Sequence, residues 1–347
     1  MSSLVLSLTH TWEPFVLIVG LLFIGHVAAN EGLFQYVGVK CASIPGGDVW
    51  LFVSTMVSVA LVTAVLNLDT AVVFMTPVAL QAAKSRSADQ TAFLYGTILM
   101  ANSASLLLVG SNLTNLLIFS SRPVGGFAYA SHMLLAWVTS VVLTIVVVAR
   151  WRWKDLRRES GPRDVEPAVA SWGVGWVAVL TAIVMMLALS HPGLPVLTVG
   201  VLVELYEWKI RRRVDMAGIV RVANPSVVIP LFVLAVLVGW LGRAWPGPSH
   251  LVGHANNLVT AFVGAGMSVL VNNLPAASLF AGRSIAHPYA LLVGLDLGPN
   301  LFVTGAMSTL LWFRIARGNG ADPRAITFIG VGVPVGVLTI LAASLVV

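Results

Sequence analysis

The chain has 347 residues, of which 58% are hydrophobic and 10% charged, and its mean hydropathy is +0.91. This composition excludes a soluble globular protein, which would have to expose a very large apolar surface, and it is typical of a polytopic membrane protein. The net charge of +6 does not indicate nucleic-acid binding, because the Lys and Arg residues lie in short loops between apolar runs. The single cysteine, Cys41, excludes a disulfide framework and a multi-thiolate metal cluster, and no metal site is predicted.

Eight apolar stretches are long enough to predict membrane-spanning helices, which need about 20 residues each. They lie near residues 13–29, 91–119, 127–149, 171–190, 193–208, 225–242, 288–312 and 325–347. We therefore predict an all-α, multi-pass membrane protein.

Two further apolar regions, near residues 50–83 and 254–283, each contain a polar break. The breaks read VLNLDTAVV at residues 65–73 and LVNNLPAAS at residues 270–278. After Asp69 only about 13 residues precede Lys84, which is roughly 20 Å of helix against a membrane core of roughly 30 Å. Both regions are therefore predicted to be re-entrant hairpins, although two full spans in place of each would give the same parity of crossings.

The basic residues favour one orientation of these elements. With the N-terminus outside, 17 of the 20 Lys and Arg residues fall on the cytoplasmic side, and only Arg122, Arg243 and Arg283 fall outside. Cytoplasmic loops carry such an excess in membrane proteins.

The polar breaks recur in the same order in two halves of the chain. The first half contains VLNLDTAVV and then LLLVGSNLTNLL (residues 106–117), and the second contains LVNNLPAAS and then LLVGLDLGPNLF (residues 291–302). Together with the charge pattern, this order predicts two inverted repeats, residues 1–150 and 171–347, joined by a basic cytoplasmic loop at residues 151–170. Inverted repeats with interrupted helices are typical of secondary transporters that bind their solute at the membrane midplane.

Uncharged polar residues at the four breaks are the predicted solute ligands, because unwound backbone within a membrane is tolerated where it lines a cavity. These residues are Asn67, Thr70, Ser111, Asn112, Thr114, Asn115, Asn272, Asn273, Asn300 and Thr304. Gly, Ser and Asn also serve helix packing, so packed kinks are the alternative.

Two carboxylates, Asp69 and Asp296, lie deep in the predicted membrane, where a charge is costly enough to indicate function. Each could instead cap a helix. No Lys or Arg lies in a predicted membrane core, so an ionised Asp69 would lack a side-chain counter-ion. His26 is expected to be a hydrogen-bonded core residue, with a proton relay as the alternative. Glu204 and Glu207 are expected to be paired surface charges.

The motifs LNLDTAVVFMTP, VGSNLTNLLIF, VNNLPAASLFAG and GLDLGPNLFVTGAMSTLLW resemble those of the arsenite/antimonite efflux permeases. That family belongs to the ion transporter superfamily, with sodium/proton antiporters and sodium-coupled dicarboxylate carriers. The resemblance implies three helices, a hairpin, a broken helix and a final helix in each half, and a homodimer. The first half here has one helix before its hairpin, so two leading helices are missing, and a start upstream of Met1 would restore them.

The resemblance also implies a function, namely proton-coupled efflux of arsenite or antimonite as neutral hydroxides. Asp69 would carry the proton or cation, and Asp296, where the family usually has a neutral amide, would be an extra titrating group or a cap. A sodium/proton antiporter, a sodium-coupled dicarboxylate carrier and a passive channel stay open.

No H-E-x-x-H, G-x-S-x-G or P-loop motif indicates an enzyme. We expect no cofactor, and any ATP drive would come from a separate ATPase subunit. The small inorganic solute and its coupling ion, a proton or sodium, are the expected ligands. The expected location is the bacterial inner membrane.

Overall fold

The computed structural model describes residues 3–157, 173–211, 216–245 and 247–347, and these residues form helices and loops without a β-strand. The helices of the first half are α1 Ser3–Asn30, α2 Leu33–Ser43, α3 Asp48–Leu66, α4 Leu68–Ser85, α5 Gln90–Ala104, α6 Leu113–Phe119, α7 Gly126–Trp151 and α8 Trp153–Leu156. Those of the second half are α9 Val174–Ala188, α10 Gly193–Tyr206, α11 Met216–Ala223, α12 Pro225–Ala244, α13 Gly247–Val252, α14 Asn257–Val271, α15 Asn273–Phe280, α16 Pro288–Leu297, α17 Met307–Gly318 and α18 Ala325–Ser344. The predicted all-α fold is confirmed.

Five of the described helices, α1, α3, α7, α12 and α18, are long and apolar enough to cross a membrane. Large apolar side chains are exposed along the outer helices; on α9, for example, Val177, Leu180 and Val184 are each more than 60% exposed. Their spacing of three and four residues places them on one face, which suits contact with lipid. The short helix α2 was not predicted, and most of the basic loop lies outside the described residues.

Asparagine residues break the helices of both predicted hairpins. Asn67 lies between α3 and α4 with a φ of 105°, and Asn272 lies between α14 and α15 with a φ of 77°. Asn adopts positive φ more readily than most residues, and its side chain can cap the following helix. The Oδ1 atom of Asn67 accepts from Thr70 N at 2.9 Å, and that of Asn272 accepts from Leu274 N at 3.4 Å. The predicted helix breaks are therefore present.

The two limbs that follow these breaks differ in length. Helix α15 has 8 residues, or about 12 Å, which is too short to cross a membrane. Helix α4 has 18 residues, or about 27 Å, and is therefore longer than the limb predicted after Asp69. The short second limb therefore favours a re-entrant hairpin at residues 254–283. Re-entry of the region at residues 50–83 stays a prediction.

The two predicted broken helices are each divided into two segments. Between α5 and α6, residues 105–112 are irregular apart from one 3-10 turn at Val109–Ser111. Between α16 and α17, the chain forms two 3-10 turns, Gly298–Asn300 and Val303–Gly305.

Contacts between helices have the same pattern in both halves. Helix α3 packs against α5, and α14 packs against α16; the final helices α7 and α18 pack against each other. The second limb of each hairpin region contacts the other half, since α4 packs against α17 and α15 against α6. This pattern suits two related repeats, whose inverted orientation and boundaries stay predictions.

The predicted orientation can be tested by labelling introduced cysteines in a Cys41→Ser background. Lys84, at the end of α4, and Ser284, beside Arg283, are both exposed. We expect Lys84→Cys to react with an impermeant maleimide only from the cytoplasmic side, and Ser284→Cys only from outside. Labelling of both from the same side would contradict the inverted arrangement.

Candidate transport site

Asp296 lies on α16 within the motif G-L-D-L-G, and the two glycines of this motif fix the position of that helix. A Cβ atom on Gly294 would collide with the carbonyl oxygen of Ala261, and one on Gly298 would lie 2.7 Å from Ala265 Cα. Small residues four positions apart let two helix backbones approach closely. Because the glycines face α14, Asp296 between them points to the other side of α16, where α6 lies.

The carboxylate of Asp296 joins the breaks of the two halves. Its Oδ1 atom accepts hydrogen bonds from Asn112 Nδ2 at 3.0 Å and from the hydroxyl of Thr114. Its side chain is 1% exposed, and Oδ2 has no hydrogen-bond partner in the part of the chain that the structure describes. Asp296 caps no helix, because its bonded partners are side chains. A buried carboxylate with one unpaired oxygen can take up a proton or bind a cation.

A second cross-connection is formed by Asn300 in the turn after α16. Its Oδ1 accepts from Asn102 Nδ2 at 2.9 Å, and its Nδ2 donates to Ser103 Oγ at 3.1 Å. Thr144 Oγ1 on α7 donates to the same Ser103 oxygen at 2.8 Å. Sequence analysis missed Asn102, Ser103 and Thr144. The polar residues of the sequence ANSAS at residues 101–105, inside an apolar run, were the available signal.

The remaining predicted polar residues of the broken helices bond mainly within their own half. Ser111 Oγ and Asn115 Nδ2 both donate to the carbonyl of Ser105, at 2.8 Å each. Asn272 Nδ2 donates to Thr304 O at 3.0 Å, and Thr304 Oγ1 donates to Val269 O at 3.0 Å. These bonds stabilise the irregular backbone, and Asn272 and Thr304 do not join the contacts around Asp296. Asn273, the first residue of α15, is 6% exposed.

Asp69 lies elsewhere, at a cavity of about 540 Å³ between α1, α4, α12 and α17. Asp69 and Thr70 belong to the first turn of α4, and the Asn67 side chain already caps that helix. The cap is therefore not the role of Asp69. Arg314 lines the same cavity, but no described basic residue forms an ion pair with Asp69, and its lack of a side-chain counter-ion stays a prediction.

Three helices begin at this cavity. Leu113 is the first residue of α6, Met307 is the first residue of α17, and Asp69 is the second residue of α4; all three line the cavity wall. Backbone N–H groups of a first helical turn have no partner within the helix, and the helix dipole is positive at this end. The amides of Thr70 and Thr114 already donate to the capping side chains of Asn67 and Asn112. The cavity therefore offers the positive ends of the helix dipoles to the oxygen atoms of a solute, beside one carboxylate acceptor.

His26 lines the cavity as well, and its Nδ1 atom lies 2.7 Å from Glu204 Oε1 on α10. Glu204 is 1% exposed and Glu207 is fully buried. The expectation that these two glutamates are surface charges is therefore wrong. The prediction of a hydrogen-bonded His26 is confirmed.

The sequence profile of the CitMHS citrate transporters matches residues 2–307. The chain belongs to this family. It is therefore a multi-pass membrane transporter, as the apolar helices also indicate.

Several relatives in this group of proteins match along most of the chain. The Arsenical pump membrane protein of Escherichia coli (strain K12) is 25% identical over 338 residues, which cover 88% of this chain and 78% of that protein. A protein of the same name from Yersinia enterocolitica has the same identity and coverage. The 46 kDa membrane protein of Mycobacterium leprae is 23% identical over 96% of this chain and 85% of its own length. The resemblance to arsenite/antimonite permeases is confirmed.

The fold is similar to that of a solved transporter. The crystal structure of the Alcanivorax borkumensis YdaH transporter, described as having an unusual topology, covers 99% of this chain and 86% of its own, with a TM-score of 0.57 and 13% sequence identity. At this identity the likeness concerns the fold alone.

Proposed function

We propose that the protein is a secondary active transporter that exports arsenite and antimonite as neutral hydroxides in exchange for protons. The observation that carries this proposal is the cavity at Asp69, where one carboxylate lies beside three helix N-termini. A neutral hydroxide has oxygen atoms that suit the positive ends of these helices and O–H groups that donate to Asp69. In this cavity Asp69 is the coupling residue and Thr70 a solute ligand. Asp296 is a second coupling residue in this proposal, and the polar residues around it are further ligands at the breaks before α6 and α17.

Charge favours a neutral solute over a multiply charged one. A tricarboxylate such as citrate would meet the carboxylate of Asp69 in this cavity, and like charges repel strongly where water is scarce. Arg314 is the one described basic residue in the cavity wall, so it cannot compensate several negative charges. The family's citrate carriers thus do not by themselves assign citrate to this chain.

Arsenic would have to bind through its oxygen atoms rather than through sulfur. Cys41, the single cysteine, is buried on α2 with its Sγ atom 3.2 Å from Ser58 Oγ, and it is not part of the cavity wall. Oxygen-mediated binding also favours release, because hydrogen bonds exchange faster than arsenic–thiolate bonds.

Coupling follows from competition for one carboxylate. The ionised Asp69 accepts hydrogen bonds from the solute, whereas the protonated acid is itself a donor and loses part of that acceptor capacity. A proton and a solute are exchanged across the membrane if they exclude each other at one site and that site opens to one side of the membrane at a time. Re-entry of α3 and α4, a homodimer, a separate ATPase subunit and location in the bacterial inner membrane belong to this proposal as predictions.

A sodium-coupled carrier or sodium/proton antiporter is the second candidate, because one carboxylate oxygen of the buried Asp296, Oδ2, has no hydrogen-bond partner among the described residues. Oxygen ligands of this kind suit a hard cation. A passive channel, the third alternative, would show no dependence of solute flux on a proton gradient.

The test of the proposed function is growth of an arsenite-sensitive and sodium-sensitive host that expresses the chain. We expect tolerance to arsenite and antimonite, no tolerance to sodium, and loss of the tolerance in Asp69→Asn. Asp322→Asn is the matched control, because Asp322 is an exposed aspartate that pairs with Arg324 at the surface. Tolerance to sodium alone would favour the second candidate.

The polar ligands can be tested separately with Asn112→Ala and Asn273→Ala. Both side chains lie at breaks and are 6% exposed. We expect each variant to reach the membrane and to lose arsenite efflux, because it lacks a polar group at the break. Asn319→Ala, in an exposed asparagine at the end of α17, is the control and should transport normally. Near-normal efflux by both site variants would favour packed kinks without a ligand role.

A further inference from the structure

A second pair of titratable side chains faces the cavity at Asp69. His26 on α1 lines the cavity wall and is 21% exposed, and Glu204 on α10 lies behind it and is 1% exposed. Their Nδ1 and Oε1 atoms are 2.7 Å apart. Asn30 Nδ2 lies 3.2 Å from the other ring nitrogen, Nε2.

These contacts suit one arrangement of protons on the ring when Glu204 is ionised. An ionised carboxylate only accepts, so His26 Nδ1 carries a hydrogen and donates it to Glu204. Nε2 then accepts from the Asn30 amide. A proton taken up at Nε2 requires only that the Asn30 amide turn to present its oxygen, and Asn30 is exposed.

The burial of Glu204 favours a charged His26. Oε2 of Glu204 has no hydrogen-bond partner among the described residues, and an isolated buried carboxylate is very unfavourable. A protonated imidazole at 2.7 Å makes the pair neutral as a whole. The pair therefore stabilises one additional proton at the edge of the cavity.

Few of the charged groups near the His26–Glu204 pair share the cavity with it. Other titratable or charged groups on α10, on the elements packed against α1 and α10, and on α17 across the cavity are Glu31, Tyr36, Lys40, Cys41, Asp48, Asp69, Lys84, Tyr206, Glu207, Lys209, Arg243, Arg314 and Arg317, together with Arg211 and Arg221, whose side chains are not described. Among the described side chains, Asp69 and Arg314 are those that share the cavity with His26.

We propose that the His26–Glu204 pair is a second proton-binding site, which receives the proton that Asp69 gives up when solute binds. The proton leaves the carboxylic acid of Asp69 and binds the neutral imidazole of His26, so that one carboxylate and one imidazolium result. His26 then releases the proton to water on the side of Arg314, which is the predicted cytoplasmic side. This inference rests on the proposed function for its direction, and its proton site can be tested without any solute.

The chain contains a matched control pair on the same helix. Glu13 on α1 and His191, two residues before the start of α10, are 2.8 Å apart, but His191 is 65% exposed and Glu13 23% exposed. Water solvates that pair, and it does not line the cavity at Asp69. Glu204→Gln and Glu13→Gln therefore remove the same charge from two pairs that differ in burial.

The test is an NMR titration of ¹⁵N-histidine-labelled protein in lipid vesicles, with His26 assigned by the signal lost in His26→Gln. We expect the midpoint of the His26 signal to fall by about one pH unit or more in Glu204→Gln, because the substitution removes the carboxylate beside the ring. In Glu13→Gln the His26 midpoint should stay unchanged. The pH of half-maximal arsenite efflux should shift in the same direction in Glu204→Gln alone.

A His26 signal that does not titrate, or equal midpoints in Glu204→Gln and the wild type, would overturn the proposal. If Glu204→Gln does not fold, His26→Gln serves instead, since its amide can still donate to Glu204. It should lose the pH dependence of efflux that the wild type shows, and retention of that dependence would contradict the proposal. If the wild type moves no arsenite, the proposed function fails, and the NMR titration alone decides on the proton site.

Discussion

Asp69→Asn is expected to reduce proton-driven efflux of arsenite to the level of empty vesicles. The amide has nearly the size and shape of the protonated acid, but it can neither bind nor release a proton. Because Asn67 and not Asp69 caps α4, the substitution leaves the start of the helix intact. Exchange of solute without a gradient should therefore continue, which separates loss of coupling from loss of folding.

The measurement is uphill transport by everted vesicles with an imposed pH gradient, together with solute exchange at equal pH. Asp322→Asn, which removes an exposed carboxylate, should behave like the wild type in both assays. Full gradient-driven transport by Asp69→Asn would remove this residue from the mechanism and make Asp296 the candidate for coupling.

Asp296→Ala is expected to lower both stability and transport. The substitution leaves the Asn112 amide and the Thr114 hydroxyl buried without their acceptor, and each such group costs about 1–3 kcal/mol. The contact between α6 and α16 would weaken, and the break that begins α6 at the cavity would lose its support. We expect a lower melting temperature in detergent and no measurable efflux.

Asp296→Asn distinguishes a structural role of Asp296 from a role in proton coupling. Its amide oxygen still accepts from Asn112 and Thr114, so the melting temperature should return close to that of the wild type. Gradient-driven efflux should stay reduced, because the amide takes up no proton. Normal efflux by Asp296→Asn would leave Asp296 with the role of a hydrogen-bond acceptor alone.

The sequence predicted those features of the fold that depend on neighbouring residues. Asn67 and Asn272 break their helices because one residue type both adopts positive φ and caps the next helix. Likewise, the motif around Asp296 predicted an interruption of the helix near residue 300. Such features follow from local patterns of apolar and polar residues.

Contacts between distant residues could not be predicted in this way. Asn112 and Asp296 are 184 positions apart, and His26 and Glu204 are 178 apart. Glu204 stands beside the basic sequence WKIRRR, which is typical of a membrane surface, yet close packing of α1 against α10 buries it. Which polar residues of an apolar helix meet depends on how the helices pack, and several arrangements satisfy the same pattern.

The two glycines of α16 help to hold Asp296 more tightly than Asp69 is held. Gly294 and Gly298 hold the α16 backbone against α14, and Asp296 between them is held by α6 from the other side. Asp296 is 1% exposed, so a change in its protonation would alter its contacts with Asn112 and Thr114 at the start of α6. Asp69 stands at an open wall and can turn toward an arriving solute while its helix stays in place. Asp69 can thus change its side-chain conformation alone, whereas Asp296 is held in contact with both halves of the protein.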